Sequence, residues 1–121
     1  MGTHAVIAIQ YNENIHAVYC HWDGYLAGVG SILKEHYTNE EKIDKLMECG
    51  DMSSLGEDIK SSVFYHRDLG EEFDDVRIFT DSPFSSARQQ LLEYANRIYI
   101  SYIYLFVEGV WIMKDTKDFK G

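Results

Sequence analysis

The run Ala5-Val6-Ile7-Ala8-Ile9-Gln10-Tyr11 constrains this chain most, because it is β-branched and apolar on both faces, as in a buried strand. Asn12-Glu13-Asn14 supplies turn chemistry, since asparagine tolerates positive φ. Ile15 to His21 then reads as the returning strand of an N-terminal hairpin.

Beyond Asp23-Gly24 the period changes. Leu26, Val29, Leu33 and His36 or Tyr37 fall at helical spacing, with Ile32 widening the stripe. Gly28 and Gly30 each cost this helix about 1 kcal/mol relative to alanine, so something other than propensity favours them. Thr38-Asn39-Glu40-Glu41 reads as a capping box in which Thr38 accepts from the Glu41 amide. It opens a second helix carrying Ile43, Leu46 and Met47 and closed by Gly50. An ordered turn region over Asp51 to Lys60 leads to a third strand at Ser62 to His66. The acidic loop Asp68 to Asp75 leads to a fourth strand, Val76 to Thr80. Pro83 and the serines at 85 and 86 start a third helix with Ala87, Leu91, Leu92 and Ala95 inward. Ile98 to Val107, a Glu108-Gly109 turn and Val110 to Lys114 form a closing hairpin, and residues 115–121 read as a frayed tail. The expected fold is one α+β domain over residues 1–121: a mostly antiparallel sheet of N-terminal and C-terminal hairpins plus central strands, with about three helices on one face.

Charge narrows the partners. Eleven Lys or Arg stand against twenty Asp or Glu, a net charge of −9. That opposes a duplex nucleic-acid track, which needs surplus cations, and docking on an anionic membrane. The longest apolar stretch, Ile98 to Val107, is broken by Ser101 and too short to span a bilayer. No basic region precedes an apolar run at the N-terminus, so no secretory signal is expected. Cys20 and Cys49 cannot build a disulfide framework, so reduced thiols in a cytosol are the simpler reading. No cofactor is expected, because the Gly24, Gly28 and Gly30 spacing has the wrong order for a dinucleotide fingerprint.

Two clusters carry candidate ligand-binding chemistry. In Tyr19-Cys20-His21-Trp22-Asp23-Gly24-Tyr25, strand alternation puts His21 and Asp23 on one face with Trp22 on the other. Asp23 would then orient the imidazole, and the amides of Gly24, Gly28 and Gly30 at a helix start would attract an anion. The plainer reading makes Asp23 a cap, Trp22 a core residue and the glycines a means of close packing. In Tyr65-His66-Arg67-Asp68-Leu69-Gly70-Glu71, the His-x-Asp spacing recurs and Arg67 is a natural fork for phosphate. Its plainer reading is an ion-pair network around Arg67. His21, Asp23, His66 and Asp68 together suggest a metal-assisted phosphodiesterase as a further alternative, although no close His/Cys pair supports a metal site. Nucleophilic catalysis has little support: there is no Gly-x-Ser-x-Gly elbow, and burial makes Cys20 inert. Tyr102, Tyr104 and Phe106 share one strand face opposite Trp111, which suits core packing or a homo-oligomer interface.

The set of motifs resembles a family of small bacteriophage and prophage proteins. The resemblance rests on Met1-Gly2-Thr3, His21-Trp22-Asp23-Gly24-Tyr25, Gly28-Val29-Gly30, Glu40-Glu41-Lys42-Ile43, Gly50 to Gly56, Tyr65 to Glu71 and the Tyr-rich ending, and so spans nearly the whole chain. The family usually has arginine after Met-Gly-Thr, where this chain has His4. The resemblance implies a phage accessory protein in the host cytoplasm that counteracts host defence by binding rather than catalysis. One form sequesters a nucleotide-derived signal: Trp22 or Tyr25 stacks a base, Arg67 and the glycine amides hold phosphate, and His21 or His66 hydrogen-bonds. The other is an acidic inhibitor that occupies a host protein's basic nucleic-acid groove.

Overall fold

The computed structural model describes residues 3–72 and 76–115. β1 (Ala5–Tyr11) and β2 (Asn14–Cys20) form the N-terminal hairpin, with Ala5 opposite Cys20 and Tyr11 opposite Asn14. Asn12 takes φ 55° in the connection. A π-helical turn, Leu26–Gly30, runs into α1 (Ser31–His36), and α2 (Glu40–Cys49) follows. Two short strands, β3 (Met52–Ser54) and β4 (Val63–Phe64), precede β5 (Arg77–Thr80) and α3 (Ala87–Arg97). β6 (Tyr102–Val107) and β7 (Val110–Asp115) close the chain around Glu108 and Gly109, both at positive φ.

The seven strands form one mixed sheet in the order β4-β3-β2-β1-β6-β7, with β5 also paired to β2. The expected mostly antiparallel sheet is therefore only partly right, since β1–β6 and β2–β3 are parallel. The helices do not share a face either. Ala5, Ile7 and Ile9 point toward Val29 and Leu33 of the first helical segment and Ile43 and Leu46 of α2. Val6 and Ala8 point toward Ala87, Leu91 and Ala95 of α3. The physical reason lies in β1: a strand apolar at every position from Ala5 to Ile9 needs cover on both sides.

Local boundaries moved where a stronger local interaction was available. Asn39, not Thr38, caps α2, accepting from the Lys42 amide at 2.8 Å. Ser86 caps α3 through the Gln89 amide. The third expected strand shrinks to Val63–Phe64, because the chain turns at once to form the loop that ends at Glu71. β6 begins at Tyr102 rather than Ile98, which instead caps α3. Tyr104 and Phe106 are buried with Trp111 packed against them, so this face is core. Asp115 belongs to β7, and the rest of the expected tail, 116–121, lies outside the described residues, as do positions 73–75 of the acidic loop. Among the described residues no helix is long and apolar enough to cross a membrane.

Candidate functional site

A notch in the sheet positions the site. On its outer edge β2 pairs with β5 along Asn14 to Ala17 and with β3 only at Cys20. The Tyr19 amide lies between these two pairings, and a buried N–H there needs an acceptor. It donates to Asp51 Oδ1 at 2.9 Å. Arg77, at the start of β5, grips both oxygens of the same carboxylate, at 2.6 and 2.8 Å. Asp51 thus joins two incomplete edge strands to the strand they share. Its backbone carbonyl also accepts from the Tyr65 amide.

A cavity of about 230 Å³ opens at this notch, walled by Tyr19, Tyr65, Asp51, His66, Glu71 and Glu72. Its rim is fixed by the backbone. The Glu71 amide donates to the Tyr65 carbonyl at 2.9 Å, and His66 Nδ1 donates to the Glu71 carbonyl at 2.8 Å. Gly70, at φ 70°, supplies the turn between them. Burial pushes the Tyr19 phenol up to about 12, and burial also raises that of Tyr65, so both walls stay neutral hydroxyls at physiological pH. Burial likewise raises the Cys49 thiol, which reaches the same cavity and is a poor thiolate.

Tyr19 connects the cavity to a second cluster. Its hydroxyl and His21 Nδ1 share a 2.7 Å hydrogen bond. The His4 ring stacks on His21 with centroids 4.4 Å apart, and His4 Nδ1 donates to the His21 carbonyl at 2.7 Å. Trp22 stands edge-on to His21 and is 48% exposed, so its ring stays accessible instead of entering the core.

Tyr19, bonded to His21, and His66 thus line the same cavity, but the aspartates of the two His-x-Asp motifs are not among its lining residues. β2 ends at Cys20 and Asp23 turns to φ 57°, so strand alternation does not carry Asp23 to His21. Asp23 instead accepts from the Tyr25 hydroxyl at 3.3 Å and, through its carbonyl, from the Val29 amide. Asp68 accepts from the Phe64 amide and from Arg67, which hold its carboxyl below the usual carboxylate range.

Arg67 and the glycines have internal work. Arg67 donates to Asp68 and to the carbonyls of Ile59 and Ser62, and its guanidinium lies over the Phe64 ring. The amides of Gly24, Gly28 and Gly30 donate to the carbonyls of Thr3, Tyr25 and Tyr25 respectively. A phosphate held by these groups would have to displace those bonds. Close packing accounts for the glycines: a Cβ on Gly28 would overlap the Asp23 carbonyl oxygen, and one on Gly30 would sit 3.3 Å from the Tyr104 ring. The Tyr104 hydroxyl donates to the Gly24 carbonyl at 2.6 Å, tying the glycine loop to the closing hairpin. Burial pushes the Cys20 thiol up to about 12, in keeping with an inert core residue.

Sequence reasoning misses Asp51 and His4, and gives no site role to Tyr19 and Tyr65, which open the two clusters. The strand alternation of Tyr19 with His21 was the one local signal; Asp51 and Arg77 meet only through the sheet. Among the described residues no group of three His, Cys, Asp or Glu side chains is placed to hold a metal ion. What the cavity offers is aromatic walls, carboxylates and hydrogen-bond acceptors, and among the described residues no Lys or Arg lines it. Comparison with protein-family models, with curated proteins and with solved structures finds no match to this chain.

Proposed function

We propose that this chain is a non-catalytic, phage-encoded accessory protein that counteracts host defence by binding a host protein through its acidic face. The observation that carries the reading is the sign of the cavity. Glu71 and Glu72 stand on its walls, the charge of Asp51 is met by Arg77, and Arg67 is engaged with Asp68. Such a surface attracts a basic patch and repels phosphate. The phage setting comes from the sequence resemblance.

Sequestration of a nucleotide-derived signal is the second reading, favoured by the exposed Trp22 ring beside His21. It has lost the phosphate holders it relied on, because the glycine amides and Arg67 are already bonded within the chain.

Co-purification from host extract separates the two. Glu71→Lys with Glu72→Lys is expected to release a host protein that the wild-type chain retains, whereas Trp22→Ala leaves it bound. If Trp22→Ala releases it and the double charge reversal does not, the acidic-face reading is wrong.

A further inference from the structure

The geometry points to a specific ligand chemistry for the notch: we infer that the cavity between Tyr19 and Tyr65 is a subsite for a single guanidinium or ammonium group. The inference rests on the acidic-face reading and deepens it by naming what enters. The volume, about 230 Å³, suits one side-chain terminus and leaves little room for a nucleotide. The walls match a planar, donor-rich cation. Tyr19 and Tyr65 line it, tyrosine rings attract a positive charge through the ring quadrupole, and Glu71 and Glu72 supply carboxylates to accept its N–H groups. Preorganisation is built in at the rim, because the Glu71 backbone is held at its amide and its carbonyl, while Asp51, its oxygens taken by Arg77 and the Tyr19 amide, serves as a fixed wall and not as an acceptor. Little conformational entropy is therefore lost when the cation enters.

Two sources share this chemistry: a small free amine, or an arginine or lysine side chain of a partner protein. The test titrates the full chain with methylguanidinium, with agmatine and with a capped Ala-Arg-Ala peptide, following backbone amide shifts by NMR. Saturable shifts are expected at Tyr19, Asp51, Tyr65 and Glu71, with affinities of about millimolar for so small a probe. Glu71→Gln with Glu72→Gln keeps the side-chain shape and is expected to weaken binding about tenfold. Glu40→Gln with Glu41→Gln removes the same charge at the start of α2 and leaves the affinity unchanged.

Tighter binding of the peptide than of agmatine assigns the subsite to a protein side chain, and the reverse order assigns it to a free amine; both support the inference. Absence of shifts at the notch overturns it, as does equal weakening by the two double variants. The two proposals fail separately. If the cations bind but charge reversal releases no host protein, the subsite stands and the functional reading falls. If charge reversal releases the partner but no cation shifts the notch amides, the subsite falls and the functional reading stands.

Discussion

Asp51→Ala is expected to lower folding stability by about 3 kcal/mol, read as a shift in the urea midpoint at unchanged slope. The side chain is 11% exposed and its partner Arg77 29%, so removing the carboxylate takes a two-pronged acceptor from a partly buried guanidinium. It also leaves the Tyr19 amide without its acceptor. The effect exceeds that of an ordinary surface ion pair, worth about 0–1 kcal/mol, because the carboxylate occupies a place in the sheet. Coupling is the sharper signature. Asp51→Ala with Arg77→Ala is expected to cost less than the sum of the two single substitutions, since the pair of bonds they share is lost in either one. Strict additivity would mean that the carboxylate and guanidinium act independently.

Gly24→Ala is the second large effect, about 2 to 3 kcal/mol destabilising by the same measurement. An added Cβ would sit 2.7 Å from the Thr3 carbonyl oxygen, 2.9 Å from the Ala5 Cβ and 2.9 Å from the His4 carbonyl carbon. These are backbone and core atoms at the start of the central strand, and no flexible side chain can swing away to relieve the overlap. Gly70→Ala provides the contrast. Its Cβ would meet nothing within 4 Å, so its cost comes from φ 70° alone, about 1 kcal/mol. If Gly24→Ala proves as mild as Gly70→Ala, the loop does not pack against β1 as described.

The elements governed by neighbouring residues were legible in the sequence. The hairpin of β1 and β2 follows from two apolar runs around Asn12 to Asn14, and the α3 stripe of Ala87, Leu91 and Ala95 from helical spacing. Long-range pairing was not legible. Nothing local in Tyr102 to Val107 says that it lies parallel to Ala5 to Ile9, because parallel strands meet through crossovers rather than turns. The two-faced character of Ala5 to Ile9 was visible and its consequence, helices on both sides, was the inference available from it. Of the candidate site, His21 and His66 were found by their motifs. Asp23 is assigned to His21 by strand alternation, and that alternation ends with β2 at Cys20. Arg67 was read as available for phosphate because its partners, the Ile59 and Ser62 carbonyls, are backbone groups that no sequence pattern announces.

The proposed preference of the site for positive over negative ligands is tested most directly by paired calorimetric titrations of the full chain. One titrates a short arginine-rich peptide, and the other a panel of cyclic and linear nucleotides, at the same ionic strength. The account predicts saturable binding of the peptide, weakened by added salt as screening requires, and none of the nucleotides. Saturable nucleotide binding with no response to the peptide would contradict it.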